Sequence, residues 1–118
     1  MASEINRMKE VIHYCNEIEE TMDEYGKDVE DFLNDPRYRD LCSFYISQIG
    51  ENIKEIERTS PGRFKDHSNV HWRGIMGMRD RIAHGYHRIQ HEIIWNFITE
   101  ELPEVKEVCE QLLYKMQN

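Results

Sequence analysis

An arginine, an aspartate and a histidine lie close together in the sequence at positions 79, 80 and 84. A histidine at position 84 can transfer a proton, and the forked guanidinium of Arg79 is a permanent donor to phosphate oxygens. Together they suit cleavage of a phosphodiester bond without a metal ion. Taken alone, the spacing favours a plainer interpretation, with an ordinary histidine at a helix end and an arginine on the surface.

Helical geometry constrains how these side chains meet. His84 is five positions after Arg79, so on an ideal helix the two side chains point about 140° apart around the axis. They face one point only if the helix end loosens, which Gly85 would permit. Asp80 and His84 are four residues apart and share a face, so Asp80 can accept a hydrogen bond from one ring nitrogen and fix the tautomer.

Scarce glycine and proline residues divide the chain into helical blocks. Gly26 and Gly85 are stop signals, and Asp35 before Pro36 is a start signal. We predict an all-α, up-and-down helical bundle of four to five helices that forms one domain over residues 1–118. Its helices are expected from Ser3, as the N-cap, to Tyr25, from Pro36 to about Ile56, from about Val70 to His84, and from Ile89 to Leu113. A short amphipathic turn from Val29 to Leu33 is expected to connect the first two.

Three details of this bundle are expected from the pattern. Apolar residues recur every three or four positions in the first helix and predict one buried stripe, formed by Ile5, Met8, Ile12, Cys15, Ile18, Met22 and Tyr25. Gly74 and Gly77 indicate that another backbone packs close to their helix. Pro103 kinks or divides the last helical block, and residues 59–69 form the one substantial loop.

The charge of the chain excludes one class of nucleic-acid-binding protein. The 118 residues carry 15 Lys and Arg against 23 Asp and Glu, a net charge of −8, so general basicity cannot hold a polyanion. Residues 63–91 differ, because six basic side chains face two acidic ones there and leave the remainder at −12. Five of the six histidines lie in the same segment. We therefore expect an anion site on this basic strip, residues 63–91.

The three cysteines are widely spaced and lie within apolar stripes, at positions 15, 42 and 109. This usage is typical of reduced thiols in a cytoplasmic protein. We find no charged leader followed by an apolar stretch and no run of 18 apolar residues, and we expect a chain that is neither secreted nor bound to a membrane.

The wider pattern resembles the HEPN superfamily, and within it the HepT-like toxins that pair with minimal nucleotidyltransferase antitoxins in type VII toxin-antitoxin systems. The resemblance covers nearly the whole chain. Its most specific part is the arrangement Arg-(x)4-His-x-Tyr, preceded by Trp-Arg-Gly-Ile-Met-Gly-Met. The matching stretches are Asp31–Asp35, Gln48–Asn52, His71–Asp80, His84–Tyr86 and Trp95–Pro103.

The resemblance implies a homodimer in which Arg79 and His84 of both protomers line a shared cleft. It implies a metal-independent endoribonuclease that needs no cofactor, with Arg79 and His84 as the catalytic pair and Asp80 as a supporting polar residue. It also implies that the partner nucleotidyltransferase attaches AMP to Tyr86 and thereby neutralises the toxin. The expected partners are RNA, a second copy of the chain and the antitoxin, with a larger complex left open.

Other interpretations of the same residues stay open. The spacings of His67 with His71, and of His84 with His87 and His91, are compatible with a metal site. Aromatic residues Trp72, Trp95, Tyr86 and Phe97 either belong to the core or stack on bases. Gln48, Glu51 and Asn52 either approach the catalytic cleft or are solvated.

A different class of function is also compatible with the pattern. A catalytically inactive HEPN module that only binds a nucleotidyltransferase would have a similar overall sequence pattern. The presence of Arg79, His84 and Tyr86 together favours the active toxin.

Overall fold

A computed structural model describes residues 2–85 and 90–118, and every regular element in these ranges is helical. Its elements are α1 (Ala2–Tyr25), α2 (Val29–Leu33), α3 (Pro36–Thr59), α4 (Trp72–Gly85), α5 (His91–Asn96), a π-helical turn (Phe97–Glu101) and α6 (Leu102–Gln117). The prediction of an all-α helical bundle is confirmed.

The boundaries follow the local chemistry of the chain. Gly26 ends α1 with a backbone φ of 124°, a conformation that favours glycine. The Asp35 carboxylate caps α3, because its Oδ1 accepts from the backbone N–H of Arg37 at 2.9 Å and of Tyr38 at 3.3 Å. Pro36 takes the first position of α3. These start and stop signals act as predicted.

Two boundaries differ from the prediction. The first helix already includes Ala2, so Ser3 lies inside its first turn rather than at its cap. The fourth helix begins at Trp72, because Val70 is buried in the turns that precede it. The last block is divided, with the π-helical turn ahead of Pro103 and Pro103 itself in the first turn of α6, where its missing N–H costs nothing.

The core runs along the inner faces of all the helices. Helix α1 packs between α3 and α6, and α4 packs on the opposite side of α3. On α1 the buried apolar stripe is Met8, Val11, Cys15 and Ile18, whereas Ile5, Ile12 and Met22 lie only half-buried at its edge. Met8, Cys15 and Ile18 of the expected stripe are therefore confirmed as buried, and Val11 is buried in place of Ile12. The fully buried large side chains are Tyr38, Phe32, Phe97, Met8, Ile18, Ile46, Ile49, Ile53, Ile56, Ile75, Ile94 and Ile98.

The segment between α3 and α4 is folded into successive turns that are tied to the bundle. The ring of Phe64 stacks on Trp72 at a centroid distance of 4.1 Å, and the Trp72 indole N–H donates to the carbonyl of His67 at 2.9 Å. The carboxylate of Glu4, on α1, accepts hydrogen bonds from Ser60 and Arg63. This loop is thus a fixed part of the fold.

The close approach of α4 to its neighbour occurs at a glycine on α3, and the expectation for Gly74 and Gly77 is wrong. A Cβ on Gly50 would lie 2.5 Å from Cβ of Arg79 and 3.1 Å from the carbonyl oxygen of Ile75. A Cβ on Gly74 would meet the ring of His71, whereas one on Gly77 would meet nothing within 4 Å.

No helix in the described ranges combines the length and the apolar character that crossing a membrane requires.

Candidate active site

Helix α4 presents Arg79 and Asp80 at its contact with α3 and carries His84 in its last turn. Gly50 allows the two helices to approach closely at this level, since any side chain there would displace Arg79. Ile75 and Met78 are buried and anchor the inner face of α4. The backbone of Arg79 is therefore fixed by packing on both sides.

The guanidinium of Arg79 lies between two carboxylates. Its Nη2 is 2.9 Å from Oε2 of Glu51, and its Nη1 donates to Oδ1 of Asp80 at 3.0 Å. The Glu51 oxygen is shielded from solvent, and its contact is an ion pair outside hydrogen-bond angles. The side chain of Arg79 remains 26% exposed. An incoming phosphate can therefore reach this cation but must compete with two anionic neighbours.

Asp80 does not make the interaction that its spacing predicts. The predicted partner was His84, but Oδ1 of Asp80 is taken by Arg79 and also lies 3.8 Å from Nζ of Lys54. No hydrogen bond joins Asp80 to His84 within the described ranges. In this structure Asp80 orients the arginine rather than the histidine.

His84 is exposed near the C-terminal end of α4. The helix includes Gly85, so the loosening expected between Arg79 and His84 does not occur. Regular helical geometry then keeps their directions about 140° apart. Among the described residues no ion pair or hydrogen bond links the two side chains, and within one chain they face different regions of solvent.

Tyr86, the expected site of AMP attachment, lies outside the described residues, as do His87, Arg88 and Ile89. The structure places the end of α4 one residue before Tyr86.

The polar residues of α3 divide into two roles. Glu51 reaches Arg79, so this member of the patch does approach the candidate site. Asn52 is buried; its Oδ1 accepts from Arg7 on α1 at 3.2 Å, and its Nδ2 donates to the carbonyl of Gln48 at 2.8 Å. Asn52 therefore ties α3 to α1. Sequence reasoning left this choice open, and Glu51 with Lys54 are the site neighbours that it did not assign.

The structure bears on two alternative interpretations, base stacking by the aromatic residues and metal binding by the histidines. Trp72 and Phe97 are buried, and Trp95 packs against Phe32 and Tyr38, so these three rings belong to the core. Across residues 2–85 and 90–118 no three His, Cys, Asp or Glu side chains converge as metal ligands would. His87, one member of the proposed histidine set, is not described.

The basic strip, residues 63–91, has a net charge of +4, but its cations are not equally available to a ligand. Arg63 is paired with the buried carboxylate of Glu4, which raises the pKa of Arg63 and lowers that of Glu4. Arg79 is paired with its two carboxylates. Lys65, Arg73 and Arg81 are exposed and have no hydrogen bond or ion pair to any other described residue. Among the described cations of the strip, these three are the most available to an external anion.

Comparison with known proteins identifies the family to which this chain belongs. The chain matches the family described as "Ribonuclease HepT-like" over residues 11–112. It is 35% identical over 91 residues to a protein named as a putative RNase of Caldanaerobacter subterraneus subsp. tengcongensis, with 76% of this chain and 78% of that protein covered. It is 28% identical over 107 residues to a protein named as a probable ribonuclease HepT of Thermococcus cleftensis, with 88% and 94% covered.

A protein named as a putative RNase of Methanocaldococcus jannaschii is also 28% identical over 107 residues, with 90% of this chain and 78% of that protein covered. No solved structure matches the chain. The family match includes Gly50, Glu51, Arg79 and His84 within its span. The chain belongs to the HepT-like ribonuclease family of the HEPN superfamily.

Proposed function

We propose that this chain is an endoribonuclease that cleaves RNA without a metal ion and uses Arg79 and His84 as its catalytic residues. The observation that carries the proposal is the position of Arg79, a partly exposed guanidinium held at a tight helix contact, with an exposed His84 on the same helix of a HepT-like chain. The described helices share one core, which supports a single HEPN domain over residues 1–118.

The proposed reaction is a transesterification within the RNA strand. The ribose 2′-oxygen attacks the adjacent phosphorus and loses its proton, while the bond from phosphorus to the 5′-oxygen breaks and that oxygen gains a proton. The products are a 2′,3′-cyclic phosphate and a 5′-hydroxyl. His84 transfers a proton in this step, and Arg79 stabilises the charge on the phosphorane-like transition state. DNA lacks the 2′-hydroxyl and is not a substrate.

The divergence of Arg79 and His84 supports a site made by two chains. One helix cannot direct both side chains at the same phosphate when they point about 140° apart. A symmetric dimer brings a second α4 alongside the first, so that the arginine of one protomer meets the histidine of its partner. The proposed assembly is therefore a homodimer with a shared cleft.

The proposed regulation involves a minimal nucleotidyltransferase antitoxin that transfers AMP to Tyr86. This residue follows His84 by two positions, so a nucleotide attached there would place a phosphate and a bulky group beside the cleft. The added negative charge would compete with RNA for Arg79. The chain would then act as the toxin of a toxin-antitoxin pair.

The nuclease proposal is tested with purified protein and RNA in excess chelator. Wild type should cut RNA and leave cyclic phosphate at the 3′ ends, and a DNA analogue should remain intact. His84→Ala and Arg79→Ala should each lose at least about 100-fold in rate. His13→Ala, which removes an exposed histidine of α1, should cut like wild type. Undiminished cleavage by His84→Ala would sink the mechanism, and absence of cleavage by wild type would favour the inactive binding module.

The regulatory proposal is tested by intact mass. Co-expression with the nucleotidyltransferase and ATP should add the mass of one or more AMP groups to wild type. Tyr86→Phe should abolish the addition, and Tyr114→Phe, at a tyrosine that is 69% exposed on α6, should not. An addition that persists in Tyr86→Phe would move the modification elsewhere.

A further inference from the structure

A surface depression lies between the turns after α3 and the first turns of α4. It has a volume of about 380 Å³, within the range of small-ligand pockets. We call it the loop cleft. Its walls are Glu57, Gly62, Phe64, Lys65, Ser68, Val70, Trp72, Arg73 and Met76.

The loop cleft is held in shape by contacts on both sides. The Glu4 carboxylate accepts hydrogen bonds from Arg63 and Ser60. The Glu57 carboxylate accepts from the backbone N–H of Gly62 at 3.3 Å. The stacked rings of Phe64 and Trp72 form a buried floor under it. A ligand would therefore find the cleft already formed and would not have to order a loop.

The charges of the cleft point to an anionic ligand. Lys65 and Arg73 line it, both are exposed, and neither is paired with another described residue. The one acidic residue in the lining, Glu57, already accepts the hydrogen bond from Gly62. Arg63 and Arg79, in contrast, are neutralised by carboxylates. Two of the unpaired cations of the basic strip thus converge on one apolar-floored depression.

The position of the cleft along α4 relates it to Arg79. Residues 73, 76 and 80 lie on one face of α4, whereas Arg79 points about 120° around the axis from Arg73. A rise of 1.5 Å per residue puts Arg73 about 9 Å from Arg79 along the axis. A strand whose scissile phosphate contacts Arg79 would have to pass around α4 to reach the cleft, and would enter it with a nucleotide beyond the scissile pair.

We propose that the loop cleft is a subsite for a nucleotide that lies beyond the two joined by the bond that is cut. Lys65 and Arg73 contact its phosphate, and the apolar lining at Val70 and Met76 contacts the base or the ribose. This inference rests on the proposed ribonuclease function, because it names the RNA strand as the ligand. The subsite adds affinity for longer RNA and takes no part in the chemical step.

The test uses a non-cleavable 2′-O-methyl RNA of about twelve nucleotides, long enough to pass both sites. Binding of Lys65→Ala/Arg73→Ala is compared with wild type by fluorescence anisotropy at several salt concentrations. Its affinity should fall about five- to tenfold at low salt. The slope of log K against log salt should shrink by about 0.7 for each phosphate that is no longer neutralised. A charge-preserving variant, Lys65→Arg/Arg73→Lys, should restore both values.

The matched control is Arg37→Ala/Lys115→Ala, which removes the same charge from exposed positions at the start of α3 and the end of α6. It should retain most of the affinity and the full salt slope. Cleavage of a dinucleotide, too short to reach the cleft, should be equal in wild type and Lys65→Ala/Arg73→Ala.

The experiment distinguishes failure of the subsite proposal from failure of the ribonuclease proposal. If wild type cuts RNA but Lys65→Ala/Arg73→Ala binds the probe with the affinity and slope of the control, the subsite is overturned and the nuclease stands. Loss of nucleotidyltransferase binding with RNA binding unchanged would likewise overturn it, in favour of a protein contact. If wild type cuts no RNA, the proposed function fails, while a reduced affinity and slope in the variant would still support an RNA subsite.

Discussion

Nη2 of Arg79 lies 2.9 Å from Oε2 of Glu51, and the two residues belong to different helices whose backbones meet at Gly50. The proposed catalytic arginine is therefore held by an acidic residue from outside its own motif. Two consequences can be measured, one steric and one electrostatic.

The steric prediction concerns Gly50→Ala. The new Cβ would lie 2.5 Å from Cβ of Arg79, so α3 and α4 must separate or tilt. We expect a loss of about 1–3 kcal/mol in the free energy of unfolding, measured by urea denaturation, and reduced RNA cleavage. The matched change Gly77→Ala meets nothing within 4 Å and replaces a poor helix former. It should leave cleavage intact and stabilise the protein by up to about 1 kcal/mol. Equal behaviour of the two variants would contradict the close contact.

The electrostatic prediction concerns Glu51→Gln. Removing this negative charge relieves competition for the Arg79 guanidinium while an amide of nearly the same shape remains beside it. The affinity for non-cleavable RNA should rise about threefold at low salt, as expected for a partly exposed ion pair. Glu107→Gln, at an exposed position of α6, provides the control and should change the affinity less. Weaker binding by Glu51→Gln would show that the carboxylate is required to hold the arginine in place.

A pH-dependent prediction follows from Glu4. Hydrogen bonds from Arg63, with a smaller contribution from Ser60, hold the pKa of this buried carboxyl below its ordinary value. Its stabilising effect is present above the pKa of the unfolded chain and is lost as pH falls through the lowered pKa of the folded state. Glu4→Gln should cost about 1–3 kcal/mol at neutral pH, and the difference from wild type should shrink in acid.

Denaturant unfolding at a series of pH values measures this difference. Glu10→Gln, at an exposed position of the same helix, should show little change at any pH. A Glu4→Gln deficit that is independent of pH down to strong acid would refute the ionic role of Glu4.

The three cysteines give a prediction about reactivity. All are buried and free, and burial raises the pKa of Cys42 and of Cys109 to about 12 and that of Cys15 further still. Thiolate is the reactive form, so a disulfide reagent at mildly alkaline pH should leave the folded protein unmodified and modify all three thiols after denaturation. Asn16→Cys, at an exposed position of α1, should react at once. Rapid modification of a native thiol would contradict the burial.

Local signals predicted the helices well because their causes are local. Asp35 with Pro36 fixes the start of α3 through a cap and a preset φ, and Gly26 ends α1 through a conformation that other residues rarely adopt. The buried stripe of α1 was harder to place, since Ile5 and Ile12 are as apolar as Val11. Only the position of α3 and α6 decides which of them is covered.

The candidate site depended on contacts that spacing along one helix cannot show. Asp80 and His84 share a face of α4, yet the carboxylate turns to Arg79 and to Lys54 of the neighbouring helix, because the cations lie closer. Gly50 was the available signal, since a glycine inside an apolar helix marks a close contact. Nothing in the sequence said that the partner at that contact would be Arg79.

The hydrogen bonds between Glu4 and Arg63 also couple the opening of α1 to the opening of the loop between α3 and α4. The first turn of α1 secures a loop 59 residues away through this contact. When that turn opens, the loop cleft loses a tie that none of its own residues replaces. Amide hydrogens of residues 62–68 should then exchange with solvent faster in Glu4→Gln than in wild type, because opening of this contact sets how long the cleft stays formed.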